Sequence, residues 1–220
     1  MAAPVFADPD PDQKPKPAPA PAGRQPRPAP VQRPREPFVI RGFGEIGYLQ
    51  LSAKESFNAI FDKDSTWIAG GGADAIWPSG FFGSAEIEWY RMEGERAFVL
   101  DGQVFPLGIK DEVTVVPISM TFGYKFGRSY TARPYAGAGY GLYLFEEKAD
   151  FAEAGDDVSE NFGGFHVVGG VDLFRRRRIT AGVEGRYAWV RDSIGEGGVS
   201  EEFGENDLGG FTFKVKILVH

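Results

Sequence analysis

Eight long runs of alternating residues, connections that are short and long by turns, and one strand face nearly free of charge predict the fold class. It is all-β: an eight-stranded up-and-down antiparallel transmembrane β-barrel with a disordered Pro-rich N-terminal segment. The 220 residues suit one domain plus an appendage. With no Cys, a disulfide scaffold, a Cys-ligated zinc site, an iron–sulfur centre and thiol catalysis are excluded. No run approaches the ~18 apolar residues of a membrane helix, and mean hydropathy is -0.25. That average does not exclude a barrel, whose apolar residues alternate with polar ones and cancel in a window.

In chain order, residues 1–7 (Met1-Ala-Ala-Pro-Val-Phe-Ala7) end like a cleavage site and are expected to be the remnant of a signal peptide whose remainder lies upstream. Residues 8–37 are Pro, Ala, Gln and mixed charge, too polar to offset the entropy of ordering, and read as a disordered linker. It serves either as a leader without a ligand or as a spacer reaching the cell wall or a periplasmic partner. Extended, it spans on the order of 90 Å.

The barrel is expected over 38–220. Its runs are 38–51, 65–77, 80–91, 113–126, 133–145, 162–174, 178–190 and 208–219, and none of the connecting segments has a helical period. Most runs exceed the usual five or six residues of a soluble strand. The connections 78–79, 127–132 and 175–177 are short, whereas 52–64, 92–112, 146–161 and 191–207 are long. Short turns at one end and long loops at the other are the plan of a barrel inserted from the periplasm.

On the second run, Trp67 and Trp77 share a face ten residues apart, which projects to about 25 Å at a tilt near 40°, the height of an apolar band between aromatic girdles. With Trp89, Tyr124, Phe126, Tyr187 and Trp189 they are the expected girdle residues. The opposite face carries Arg41, Glu45, Asp74, Glu86, Glu88, Lys125, Asp172, Glu184, Arg186, Lys214 and Lys216. An eight-stranded barrel has room inside only for side chains, so these charges are expected to pair into a plug. Counting across the turn at 175–177 sets His166 beside Arg186 and Val168 beside Glu184. Gly137, Gly139 and Gly141 are expected to leave room for Arg186 and Lys125. A soluble sandwich gives the same alternation, but not the strand lengths, the loop and turn order, or tryptophans at the margins of the apolar face.

The stretches Val116-Pro-Ile-Ser-Met-Thr-Phe-Gly-Tyr-Lys-Phe126, Arg133-Pro-Tyr-Ala-Gly-Ala-Gly-Tyr-Gly-Leu-Tyr143 and Gly164-Phe-His-Val-Val-Gly-Gly-Val-Asp172 together resemble the central hairpins of a known family. It is the small outer-membrane β-barrel family, with OmpA-like, OmpX-like and OmpW-like members, and the resemblance covers residues 38–219. It implies the Gram-negative outer membrane, insertion by the barrel assembly machinery, and a structural, adhesive or defensive role. Two positions depart from the family. The last outward residue is Val219 where an aromatic is usual, and Pro117 interrupts a strand, so a bulge or a protruding strand end is expected there.

The candidate chemistry is sparse. His166 and His220 are the only histidines, so a His-rich metal centre is excluded. A lipid A deacylase-like enzyme would need Ser at Val168 and an outward His, whereas His166 has the lumenal phase. Gly70-Gly-Gly72 and Gly137-Ala-Gly-Tyr-Gly141 precede no helix and no Lys, so they are not phosphate cradles. The expectation is a protein without catalytic, cofactor or metal residues and with a structural or surface-interaction role, the alternatives being a lipid-modifying enzyme and a narrow channel. Its partners would be outer-membrane lipids and lipopolysaccharide. Carboxylates crowd the third and fourth loops (Glu146, Glu147, Asp150, Glu153, Asp156, Asp157, Glu160; Asp192, Glu196, Glu201, Glu202, Glu205, Asp207), where they are solvated or collect divalent cations. Arg128, Arg133 and Arg175 to Arg178 mark the opposite turns, suited to lipid phosphates. A net charge of -7 argues against nucleic acid.

Overall fold

The computed structural model describes residues 37–100, 103–127, 131–149, 158–173, 178–191, 193 and 198–219. The expected leader, and the linker as far as residue 36, lie outside the described residues. So do Asp150, Glu153, Asp156, Asp157, Asp192, Glu196, His220, Arg128 and the arginines at 175–177.

The strands are β1 (Val39–Leu51), β2 (Ser65–Ile76), β3 (Phe81–Leu100), β4 (Gln103–Lys125), β5 (Ala132–Ala149), β6 (Val158–Leu173), β7 (Ile179–Trp189) and β8 (Gly210–Val219). Each pairs antiparallel with the next, and β8 closes on β1 from Gly42↔Val219 to Leu51↔Gly210, so the sheet is a closed barrel with no free edge around its wall. Alternation builds it. Along β1 and β8 every second side chain is buried, and the residues between them face outward.

The 92–112 connection, expected as a loop, is a two-stranded ribbon in which β3 and β4 pair as far as Leu100↔Gln103. Its Phe98, Val99, Val104 and Phe105 are strand-forming residues. Of the two outcomes expected at Pro117, a bulge is absent, and the outer end of β4 instead runs on into the ribbon with β3. Ile87↔Ile118 and Tyr90↔Val115 share one register, and the missing N–H of Pro117 is taken up as a gap in the β3 ladder while its pairing with Tyr143 persists. The register instead shifts between Glu95 and Ala97, opposite Gly108, whose φ of +69° suits glycine.

Helices also correct the expectation that the connections have none. α1 (Lys54–Phe61) lies between β1 and β2, and α2 (Gly198–Phe203) between β7 and β8. Eight and six residues are too short to show a period in sequence. In α1, Phe57 and Phe61 stand one turn apart, stack at 5.5 Å and are both buried. The turn into β3 is tight: Gly80 donates its N–H to the Trp77 carbonyl, with Pro78 at the favoured second position.

Candidate functional site

All eleven inward charges are buried, and they form two layers. Near the turn end, the Arg41 guanidinium donates to Asp74 at 2.6 Å and to Asp172 at 3.1 Å, while Lys125 reaches Asp172 at 3.0 Å. The Lys125 ammonium also lies 4.3 Å from the ring centre of Tyr135 and 4.8 Å from that of Phe82. Above it, Arg186, Lys214 and Lys216 meet Glu45, Glu86, Glu88 and Glu184. Lys214 lies 3.0 Å from Glu88 and 3.2 Å from Glu184; Lys216 lies 2.9 Å from Glu184 and 3.2 Å from Glu45. Arg186 pairs with Glu86 and, at 2.8 Å, with Glu88.

Arg133, assigned to the turn by sequence, is buried opposite Asp172 in the β5–β6 register. Counting it, these two layers hold six basic and six acidic side chains, so their desolvated charges cancel; a seventh buried carboxylate, Asp111, lies apart from them in β4 near Phe61 of α1. Neutral donors complete the network: Ser119 donates to Glu86 at 2.9 Å and Tyr135 to Glu184 at 2.9 Å. Sequence reasoning passed over both, although each has the inward phase of its strand. The carboxylates of Glu45, Glu86 and Glu88 converge within 4.8 Å. The cations among them satisfy that charge, and a metal ion would have to displace an ammonium group.

Register is corrected on β6 and β7. His166 faces Ala188 and Val168 faces Arg186, two residues from the expected pairing. A slip of two leaves every side chain on its own face, so the inward assignment of His166 survives. The ring is 1% exposed and its Nε2 lies 2.8 Å from the Thr121 hydroxyl. The inward glycines make room for different neighbours than expected. A Cβ at Gly139 would sit 2.5 Å from His166 Nε2, one at Gly137 3.1 Å from Thr121, and one at Gly141 3.2 Å from Ser119. Those groups, not Arg186 and Lys125, occupy the space.

The outer surface is apolar. Ile46, Ile87, Met120, Phe165, Val215 and Ile217 are all more than two-fifths exposed. At the loop end Tyr48 packs against Trp67 and Tyr187 against Trp189, with Trp89 exposed beside Ala69 of β2. At the turn end Phe38 packs on Trp77, and Tyr124 meets both Phe81 and Phe126. Aromatic rings at both margins of an apolar belt match the two interfaces of a bilayer.

A closed eight-stranded barrel with a polar, packed interior and an apolar belt is an inside-out arrangement for water. The fold is that of the small outer-membrane barrels. No family model and no curated protein matches the sequence. Among solved structures, Neisserial surface protein A is similar over 84% of this chain and 99% of its own, with a TM-score of 0.52 and 13% identity. The N-terminal β-barrel domain of OprF from Pseudomonas aeruginosa is similar over 82% and 96%, with a TM-score of 0.46 and 10% identity. A major outer membrane protein from Thermus thermophilus is similar over 82% and 98%, with a TM-score of 0.47 and 10% identity.

The loop end of this outer-membrane-type barrel is closed. Above the charge layers the lumen turns apolar, with Leu49, Leu51, Ile68, Tyr90, Met92, Val113, Val115 and Tyr143 packed under Phe57 and Phe61 of α1. Two voids among the described lumen residues hold about 10 and 20 Å³, room for roughly one water each. Two of the described loop carboxylates fasten the cap. Glu205 accepts the Ser56 N–H and hydroxyl, and Asp207 accepts the N–H groups of Val190 and Gly209.

Proposed function

We propose that this protein is a resident of the bacterial outer membrane with a structural or surface-interaction role and no catalytic one. A charge-neutral plug inside a charge-free belt carries the reading. Such a barrel anchors its loops in lipid without offering a path for solutes. Its partners on this reading are the surrounding lipids and lipopolysaccharide, the assembly machinery that inserts it, and whatever the outer loops meet. The Pro-rich segment would serve as the periplasmic spacer.

Two observations weigh against the alternatives. His166 lies in the lumen with Thr121 as its neighbour, away from any lipid ester. The two voids lined by the charge layers and by the apolar residues above them are too small for a hydrated ion.

Outer-membrane fractionation with a gel comparing boiled and unboiled samples tests the placement, and planar-bilayer recording tests the plug. The expected results are co-fractionation, faster migration unboiled, and a silent bilayer. Absence from the outer-membrane fraction without a mobility shift, or steady single-channel openings, would overturn the corresponding half.

A further inference from the structure

The ribbon formed by the outer ends of β3 and β4 carries an apolar tip. Val104 and Phe105 are neighbours on β4, so they point to opposite faces of the ribbon, and they are 40% and 38% exposed. Leu107 beside them is 51% exposed. Asp101 is the one charged residue between Ala97 and Ile109, a stretch to which Phe98, Val99 and Leu100 also belong. Apolar side chains grouped and exposed in this way mark a surface of interaction.

Below the tip the ribbon is charged and braced. Arg91 pairs with Glu93 at 2.8 Å and with Glu112 on β4, and Glu95 faces Lys110 further out. α1 stands against the ribbon at Gly94, where a Cβ would meet the Ile60 carbonyl. The β3–β4 register runs without a shift from Tyr90↔Val115 to Glu95↔Lys110. At a tilt near 40°, Glu95 therefore stands about 15 Å beyond the Trp89 girdle. Rows of charge separate the apolar tip from the protein's own apolar belt.

We infer that the tip of this ribbon seats in the interface of a second lipid surface, apart from the membrane that holds the barrel. The inference rests on the membrane placement proposed above and names the partner of the outer loops. A lipid surface fits because a fluid apolar phase covers side chains on both faces of a ribbon at once, whereas a protein groove covers one face and an added strand one edge. The protein's own outer leaflet does not fit, since its apolar layer ends at the girdle and the charged rows intervene. Insertion is shallow. Beyond Trp89, β3 has no strand on its β2 side among the described residues, so its backbone groups keep to water and only the side chains of the tip enter.

The test uses the full chain folded into nanodiscs of phosphatidylethanolamine and phosphatidylglycerol, mixed with separate phosphatidylcholine vesicles and floated on a density gradient. Loaded nanodiscs are expected to rise with the vesicles, and empty nanodiscs to stay below. V104S/F105S/L107S, with its heat-dependent gel shift intact, should co-float about tenfold less, while F105W keeps an apolar ring and should match the wild type. Because the chain has no Cys, L107C takes a single environment-sensitive dye, whose emission should shift to the blue only when vesicles are added. No co-flotation of the wild type, equal co-flotation of the triple serine variant, or a blue shift in the nanodisc alone overturns the inference. So does co-flotation that requires proteins in the vesicles, which would assign the tip to a protein partner. Failure of the chain to fold into nanodiscs shows before vesicles are added and overturns the membrane placement instead.

Discussion

The Glu205 carboxylate accepts hydrogen bonds from the Ser56 backbone N–H at 2.8 Å and from its hydroxyl at 2.7 Å, capping α1 from a loop 149 residues away. Glu55 N–H reaches the other oxygen at 3.2 Å. The local N-cap is Ala53, which has no side-chain acceptor, so the orphan donors of the helix are satisfied in trans. Replacement of Glu205 by Gln removes the charge that assists these bonds and should cost about 1 kcal/mol locally. Hydrogen exchange should quicken over residues 54–61 while the strand amides and the gel shift stay unchanged. Unchanged exchange in the helix would show that burial of Phe57 and Phe61 alone holds it.

Lys214 is fully buried among Glu45, Glu86, Glu88 and Glu184. Lys214→Met leaves those buried carboxylates one cation short and should destabilise the barrel by about 3–5 kcal/mol. Urea titration of folding into vesicles measures it. Adding Glu88→Gln should restore part of the loss, because it removes one uncompensated charge; strict additivity of the two would contradict the network.

Val215 lies on the belt near the middle of β8, opposite Ile46 and Val183. Val215→Arg should cost about 2–4 kcal/mol in the same vesicle titration, as expected for a cation near the bilayer midplane. Arg at Trp67, on the girdle, should cost about 0–1 kcal/mol from charge, on top of the lost ring. Equal charge penalties at both depths would mean that the belt does not sit in hydrocarbon.

Gly139→Ala places a methyl against the Met120 carbonyl and the His166 ring. Both neighbours are held inside the wall, so the substitution should cost about 1–3 kcal/mol as overpacking. In the background of His166→Ala the ring part of that penalty disappears. A Gly139→Ala cost unchanged by the second substitution would place the whole strain on the Met120 carbonyl.

The inward or outward phase of a residue was legible from sequence because strand alternation is local. Arg41, Glu86, Lys125 and Lys214 share a phase that can be read within a few residues, without knowing what faces them. The charge layers themselves were not legible. Arg41 meets Asp172 across 131 positions, and Lys214 meets Glu88 across 126, so their partners depend on closure of the barrel. Arg133 looked like a turn residue because it begins its strand, and only the Asp172 opposite it in the register shows it to be part of the plug.

The sequence by itself determined the eight strands, the face of each side chain, the charge-free belt and the end at which the chain turns tightly. All of these follow from a period of two and from local turn chemistry. Only the tertiary structure decided the pairing of His166 with Ala188, the ribbon formed by β3 and β4, and the cap over the loop end. The physical reason is the same in each case. A two-residue slip keeps every side chain on its face, and an eight-residue helix is too short to show its period. The cap depends on partners such as Glu205 and Ser56, which the chain brings together only when the barrel closes.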